Sequence, residues 1–278
     1  MTSEEYLTWP SDQVIQQSPI PLTVLPDEAA LLDHLAEAIL DEIRQNNQRR
    51  RPTRVIFPVG PRGHYPILAE RSNHEQLSWR DVTIFQMDEF LDWEGRYVSL
   101  DHPLSFRRFM ADFLASLDPS LRPSPDQIHV PNPERLNALS EAIDQIGGID
   151  TCYGGVGIHG HVAFNEPVVS PLTRVSNEQF RDSRTRVVPL AADTIIQTAL
   201  RQLGGDFYAV PPMAITIGMR EIRSARRIRL YCDGGASKRT ALRRVLFEPP
   251  TVAWPATLLR DHPNLAIVTD QNSALPPS

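Results

Sequence analysis

The feature that most restricts the fold of this chain is an alternation, from Arg54 onward, of short apolar runs with segments of helical periodicity. Arg54–Pro58 and Asp81–Met87 have the length and composition of buried strands, and Pro103–Leu117 and Ala191–Leu203 repeat apolar residues at helical spacing. Strands joined by helices pair in parallel, with helices on both faces of the sheet. No internal repeat and no linker-like break interrupts the pattern. We therefore predict one α/β domain over residues 1–278, with three α/β/α layers and a mostly parallel, Rossmann-like central sheet.

The N-terminal segment lacks this pattern. Residues 1–20 are predicted to form an irregular leader, because Pro10, Pro19 and Pro21 interrupt any periodicity. The segment is polar, without the apolar centre of a signal peptide, and no stretch of the chain approaches the roughly 18 apolar residues of a membrane span. We therefore expect a cytoplasmic protein.

The charge balance restricts the partners. The formal net charge is −6, whereas nucleic acids and anionic membranes favour basic surfaces, so neither is expected to bind. An anionic ligand would have to meet local positive charge. Cys152 and Cys232 both lie in apolar runs and are expected to be small, reduced core residues.

The segment richest in chemically active side chains follows the apolar run Ile149–Val156. Four glycines fall within Gly154–Gly160, His159 and His161 lie at the end of this turn, and Glu166 comes five positions after His161. Glycines let backbone approach a ligand closely, and imidazole and carboxylate groups are the usual proton carriers near neutral pH. The turn is therefore a candidate catalytic segment.

Another candidate, Asp88, directly follows the predicted strand Asp81–Met87. Ligands of open α/β sheets lie beyond the carboxyl ends of the strands, which favours a functional role for Asp88. The alternative is that Asp88 and Glu89 only cap the next turn.

Two glycine turns have the strand–turn–helix geometry that aims backbone N–H groups at an anion. One contains Gly60, Pro61, Arg62 and Gly63; the other precedes Lys238. Among 28 basic residues, Lys238 is the single lysine, and ammonium and guanidinium groups are not interchangeable in a close-fitting site. Neither turn matches the sequence motif of the dinucleotide fingerprint or of the P-loop, so no nucleotide cofactor is expected.

A metal site at the candidate catalytic turn is a further alternative. In an extended segment His159 and His161 point to one side, with Glu166 nearby. Two histidines in a glycine turn are more often not ligands, so we predict no metal.

Four strings of the sequence carry a resemblance to a known family. They are Met87-Asp88-Glu89-Phe90, His102-Pro103-Leu104-Ser105-Phe106, Gly155-Val156-Gly157-x-x-Gly160-His161-Val162-Ala163-Phe164-Asn165-Glu166-Pro167 and Leu258-x-x-Asp261-His262-Pro263. In this order they resemble the glucosamine-6-phosphate deaminase family, over about residues 21–270. Gly-His-x-Ala-Phe-Asn-Glu-Pro is the specific part. The related 6-phosphogluconolactonases share the fold and the Gly-His but lack Phe-Asn-Glu-Pro.

The resemblance implies isomerisation of an amino-sugar phosphate from aldose to ketose with loss of ammonia, without a metal or redox cofactor. It makes Asp88 the base that moves the proton at C2 of the opened sugar. It makes His161 the group that opens the pyranose ring, with Glu166 as its carboxylate partner. Such roles agree with the proton chemistry of imidazole and carboxylate groups.

The resemblance also identifies residues for the phosphate. Lys238 matches the phosphate lysine, and the turn Gly60–Gly63 matches the phosphate loop. Arg201 matches the phosphate arginine after a one-residue shift. The family includes monomers and larger assemblies, so the resemblance allows a homo-oligomer without requiring one.

The sequence departs from the family in three respects. Where the family has aspartate, this sequence has His159. An imidazole cannot supply the negative charge that favours a protonated His161. The phosphate loop lacks the usual hydroxyl residues; Pro61 has no N–H to donate, and Arg62 is the available replacement. Allosterically activated members have a basic residue at the position that Val188 occupies here, so we predict no activation by N-acetylglucosamine 6-phosphate.

Several functions therefore remain open. The leading one is a deaminase-isomerase of glucosamine 6-phosphate or a close epimer. A binding or sensor protein that kept the sugar-phosphate pocket but lost turnover is the main alternative, suggested by His159. A 6-phosphogluconolactonase is disfavoured by Phe164-Asn165-Glu166-Pro167.

Overall fold

The computed structural model describes residues 4–168 and 172–277. Over these residues the strands are β1 Leu22–Leu25, β2 Thr53–Phe57, β3 Val82–Gln86, β4 Asp88–Leu91, β5 Ile128–His129, β6 Thr151–Gly155, β7 Arg186–Pro189, β8 Met213–Thr216, β9 Arg227–Cys232 and β10 Leu265–Asp270. The α-helices are α1 Ser11–Gln17, α2 Glu28–Gln48, α3 His64–Glu75, α4 Phe106–Ser116, α5 Ala138–Gln145, α6 Asn177–Arg181, α7 Ala192–Gln202, α8 Met219–Arg223, α9 Arg239–Phe247 and α10 Gln271–Ala274. Within the same residues, no helix is both long enough and apolar enough to span a membrane.

Seven strands form the central sheet, in the order β1-β10-β9-β6-β2-β3-β5 within the described part of the chain. All neighbouring strands in it are parallel. Successive side chains of a strand point to opposite faces: Val55 and Phe57 of β2 pack on the side of α2, α3 and α4, whereas Ile56 packs on the side of α5, α8 and α9. The predicted three-layer, mostly parallel α/β/α architecture is confirmed. Cys152 and Cys232 are buried, unbonded thiols in this core.

A second sheet was not anticipated by the sequence analysis. It is antiparallel, with the order β4-β8-β7 over the described residues. Met87 joins the two sheets, because its N–H donates to the carbonyl of Phe57 (3.1 Å) and its carbonyl accepts from the N–H of Ile217 (2.7 Å). The chain therefore leaves the central sheet at Gln86 and enters the second sheet at Asp88, without an intervening turn.

The N-terminal segment is not irregular, contrary to the prediction for residues 1–20. Its described part contains a 3-10 turn at Glu5–Leu7 and helix α1, and β1 follows as an edge strand of the central sheet. The prediction failed because proline disrupts a helix only in its interior. Pro10 lies at the N-cap of α1, and Pro19 comes after the helix has ended.

A buried arginine holds this segment against the rest of the protein. The Arg243 guanidinium on α9 is fully buried. It donates to the backbone carbonyls of Leu7 (3.2 Å), Trp9 (2.6 Å) and Ala274 (2.9 Å). One side chain on α9 thus bonds the segment at Leu7 and Trp9 as well as α10 at Ala274, whose carbonyl also accepts from Ser11 Oγ (3.0 Å).

Replacing Arg243 by leucine should destabilise the protein by roughly 3 kcal/mol, because it removes three hydrogen bonds of a buried guanidinium and leaves the carbonyls of Leu7 and Trp9 without this donor. Urea unfolding followed by circular dichroism measures this loss, and limited proteolysis should show earlier cleavage before residue 20. Arg239→Leu on the same helix is the matched control. Arg239 is only partly buried, and its hydrogen bonds to Asn272 are exposed, so its replacement should cost less than about 1 kcal/mol. Equal losses in both variants would contradict the assigned role of Arg243.

Candidate active site

A cavity of about 200 Å³ opens at the carboxyl ends of β2, β3, β6 and β9. This is the edge at which open α/β sheets bind ligands. Its walls include segments that directly follow these strands, together with side chains from α7 and from the turn before α9. The lining residues are Pro58, Val59, Gly60, Pro61, Met87, Asp88, Phe106, Gly155, Val156, Gly157, His161, Ala163, Phe164, Arg201, Asp233 and Lys238.

The two adjacent carboxylates at the start of β4 have different surroundings. Asp88 lines the cavity. Glu89 points the other way, where its carboxylate accepts the backbone N–H groups of Phe106 (3.0 Å) and Arg107 (2.7 Å) at the start of α4. A carboxylate there satisfies free N–H groups and opposes the positive end of the helix dipole. The capping alternative thus describes Glu89, whereas Asp88 faces the cavity.

Asp88 lies in an environment that disfavours its charge. Burial and then the neighbouring charge of Glu89 raise the pKa of the Asp88 carboxyl well above its usual value. Among the described residues, no hydrogen-bond donor is recorded for this carboxylate. A base held with a raised pKa accepts a proton readily, which suits proton transfer.

Replacing Asp88 by asparagine should stabilise the fold at pH 7 by on the order of 1 kcal/mol or more. A carboxyl group whose pKa is higher in the folded protein than in the unfolded chain stabilises the fold only while it is protonated. This contribution is complete below the pKa of the unfolded state and is lost as the pH rises through the pKa of the folded state. The gain should therefore be largest at neutral pH and vanish near pH 4. Urea unfolding at several pH values measures it, with Asp101→Asn as an exposed control. A loss of stability at pH 7 would contradict the unpaired state of Asp88.

His161 is held by the glycine turn that follows β6. The Gly157 N–H donates to the His161 carbonyl (2.8 Å), and a Cβ on Gly157 would overlap the His161 ring at Nε2. Gly160 has a positive φ of 63°, and a Cβ there would press on Val245. Both glycines are therefore required for the ring to lie in the cavity wall.

The surroundings of His161 oppose a positive charge on its ring. Burial, followed by the charges of His159 and Lys238, lowers the pKa of His161 to about 3. An isolated His161 would thus stay neutral at physiological pH. Any proton that it delivers must be supported by a neighbouring group.

Glu166 is buried close to both histidines. Its Oε2 accepts the N–H of Ala191 (2.7 Å) at the start of α7, and within the described chain its buried Oε1 has no hydrogen-bond partner. Burial raises the pKa of Glu166, and the hydrogen bond from the Ala191 N–H opposes that rise in part. Glu166 is therefore near His161, but no hydrogen bond between their side chains is recorded within the described residues.

His159 links His161 to a carboxylate that sequence reasoning did not identify. The Nδ1 atoms of His159 and His161 are 3.2 Å apart, and His159 Nε2 is hydrogen-bonded to the carboxylate of Asp193. Asp193 lies in the first turn of α7. The sequence carries no signal for this contact, because it joins residues 34 positions apart through the docking of a helix.

The same groups could also hold a metal ion. One ligand atom from each of His159, His161 and Glu166 lies within 4.8 Å of the others. This is the geometry weighed as an alternative in the sequence analysis.

The predicted phosphate residues divide into two sets. Lys238, Arg201, Gly60 and Pro61 line the cavity, whereas Arg62 and Gly63 do not. The buried Lys238 ammonium donates to the Val156 carbonyl in the cavity wall.

The positions of Arg62 and Gly63 have a packing explanation. The Arg62 guanidinium lies over the rings of Phe109 (4.9 Å) and Phe106 (5.8 Å), where cation–π attraction holds it. Gly63 is the N-cap of α3, and a Cβ there would overlap Leu32 of α2. Close packing of α2 on α3 therefore accounts for this glycine.

Comparison with known proteins gives the family. No family model matches the chain. Glucosamine-6-phosphate deaminase 1 of Bos taurus is 34% identical over 226 residues, which cover 79% of this chain and 72% of that protein. Glucosamine-6-phosphate deaminase 2 of Xenopus tropicalis is 32% identical over 264 residues, 91% of this chain and 88% of the relative. The chain belongs to the glucosamine-6-phosphate deaminase family.

Solved structures agree with the family assignment. A monomeric glucosamine-6-phosphate deaminase superposes with a TM-score of 0.76 at 25% identity, over 92% of this chain and 99% of that one. The 6-phosphogluconolactonase of Trypanosoma cruzi superposes with a TM-score of 0.65 at 16% identity, over 92% and 96%. The lactonase similarity shows a shared fold alone. The resemblance to the glucosamine-6-phosphate deaminase family, which rested on four strings of the sequence, is thus confirmed.

Proposed function

We propose that this protein is an amino-sugar-phosphate deaminase-isomerase that converts glucosamine 6-phosphate, or a close epimer, to a ketose 6-phosphate and ammonia. The observation that carries the proposal is the presence of Asp88, His161 and Lys238 in one cavity. These side chains supply a carboxylate base, an imidazole and a fixed ammonium, which are the groups required by a phosphorylated sugar that must be opened and isomerised.

The first step is opening of the pyranose ring. The bond between C1 and the ring oxygen breaks, the ring oxygen gains a proton, and the C1 hydroxyl loses one to become an aldehyde. His161 delivers the proton to the ring oxygen. Glu166 supports the site with negative charge close to the histidines.

The second step moves hydrogen between adjacent carbons. Asp88 takes the proton from C2 of the opened sugar while the aldehyde oxygen gains a proton, which gives an enolamine. Asp88 then returns a proton to C1, the nitrogen loses one, and an imine is left at C2. Water adds to this carbon, ammonia leaves and the ketone remains. The raised pKa of Asp88 suits a carboxyl group that must carry the proton between these two positions.

Lys238 and Arg201 bind the phosphate, together with the turn at Gly60 and Pro61, which lines the same cavity. Val188 packs against the apolar cluster of the second sheet and offers no charge, in keeping with a protein that N-acetylglucosamine 6-phosphate does not activate. As proposed, the reaction draws on proton transfers and needs no cofactor.

An ammonia-release assay with glucosamine 6-phosphate and galactosamine 6-phosphate tests the activity. We expect turnover of one of them and a fall of about a hundredfold or more in kcat for Asp88→Asn, because a positioned base contributes about that much or more. Asp101→Asn, an exposed carboxylate variant, should match the wild type. Binding of both sugars by calorimetry without ammonia release would refute the enzyme and favour a sugar-phosphate sensor.

The phosphate role predicts a different kinetic signature. Lys238→Met keeps the length of the side chain but removes its charge, so KM for the accepted sugar phosphate should rise about tenfold or more, with a smaller change in kcat. Inorganic phosphate should inhibit this variant more weakly than the wild type. Arg239→Met, one residue further along, is the control for the loss of a positive charge. An unchanged KM in Lys238→Met would exclude Lys238 as the phosphate anchor.

A further inference from the structure

Three side chains form a continuous chain from the surface into the cavity: the carboxylate of Asp193, the ring of His159 and the ring of His161. We propose that Asp193 is a positioning residue, which acts through His159 to supply negative charge to His161. The inference rests on the proposed function, because it concerns the group that opens the sugar ring.

The contact with Asp193 fixes the proton on one side of the His159 ring. A carboxylate is an acceptor, so His159 Nε2 must carry hydrogen to donate to it. The state of His159 Nδ1, which faces His161, then depends on whether the ring is neutral or positively charged. The second contact of the chain therefore has two possible directions.

The direction of that contact decides what His161 can do. With a neutral His159, its Nδ1 accepts from His161 Nδ1, and His161 Nε2 at the cavity wall is an acceptor. With a positively charged His159, its Nδ1 donates to His161 Nδ1, and His161 Nε2 carries the hydrogen. Only the second arrangement presents a donor toward a sugar ring oxygen.

Asp193 favours the arrangement with the donor. Burial and the nearby Lys238 oppose a positive charge on His161, whereas a positive charge on His159 lies directly against the Asp193 carboxylate. Burial alone would raise the pKa of Asp193, but the hydrogen bond and charge of His159 outweigh it, and the pKa is lowered. A positive charge shared by the pair is therefore better placed on His159 than on His161. As His161 Nε2 gives its proton to the ring oxygen, His159 Nδ1 passes its proton to His161 Nδ1, and neither ring is left negatively charged.

The other charged groups around the pair make no hydrogen bond to either ring within the described residues. Lys238, from the turn before α9, adds positive charge. Glu166 is close to both rings, but its Oε2 accepts the N–H of Ala191 and its Oε1 has no hydrogen-bond partner among those residues. Asp193 is therefore the carboxylate with a direct hydrogen bond to the histidine pair in the described chain.

The test compares Asp193→Asn in two backgrounds. In the wild type it should lower kcat for ammonia release about tenfold or more with little change in KM, a fraction of what general acid catalysis contributes. Asp193→Glu should retain most of the activity. His159→Asp sets a carboxylate beside His161 and should be at least as active as the wild type. In that background, Asp193→Asn should change kcat less than about twofold, because the relay is bypassed.

Asp193 is largely exposed, so these variants should fold, and Asp144→Asn on α5 is the matched control for loss of a surface carboxylate. Equal losses from Asp193→Asn in both backgrounds would show a structural role and overturn the proposal. An inactive His159→Asp variant would also overturn the proposal, because it would show that a negative charge beside His161 is not sufficient for activity.

A measurement without substrate separates this inference from the proposed function. Nitrogen-15 NMR of the histidine rings should show the hydrogen of His161 on Nε2 in the wild type, and on Nδ1 in Asp193→Asn. If the wild type released no ammonia, the proposed function would be refuted, but the NMR result could still be interpreted. Unaltered ring signals in Asp193→Asn, or a stoichiometric transition metal bound in the purified protein, would refute the relay.

Discussion

The structure depends on the passage of one strand between two sheets at Met87. The backbone of this residue is hydrogen-bonded on one side to β2 of the central sheet and on the other to Ile217, directly after β8 of the second sheet. Because side chains alternate along an extended chain, the passage turns Asp88 and Glu89 in opposite directions. One carboxylate becomes the cap of α4 and the other a buried base. The architecture of two sheets and the chemistry of the cavity thus have the same origin.

The cavity concentrates groups whose charges the interior disfavours. Over the described residues Asp88 has no paired cation, and Lys238 donates to the backbone carbonyl of Val156. Both arrangements cost stability in the empty protein. A phosphorylated sugar offers the missing partners, because its phosphate can pair with the ammonium and its acidic C2 proton can be shared with the carboxylate. A compact ammonium also fits a narrow position that a planar guanidinium would not, which accounts for one lysine in a chain of arginines.

Much of the fold and half of the site could be predicted from the sequence because they follow from local pattern. Apolar runs identified the strands of the central sheet, and the rule that ligands bind beyond strand ends singled out Asp88. The second sheet escaped prediction because Asp88–Leu91 continues a strand pattern without a turn. Arg62 looked like an anion ligand only because its aromatic partners, Phe106 and Phe109, are distant in sequence. Asp193 was missed for the same reason, since nothing local relates a helix N-terminus to a turn 34 residues earlier.

The exchange of aspartate for histidine at position 159 has a consequence for the proposed mechanism. An aspartate in the glycine turn would move with His161 and would always place a negative charge beside this ring. With His159, the charge comes from α7, a helix that also carries Arg201 into the cavity and bonds the turn before α9 through Gln197 and Ser237 (3.4 Å). The same helix thus contributes to phosphate binding and to the acidity of His161. A phosphate held by Arg201 would therefore stabilise the helix that also brings Asp193 to His159.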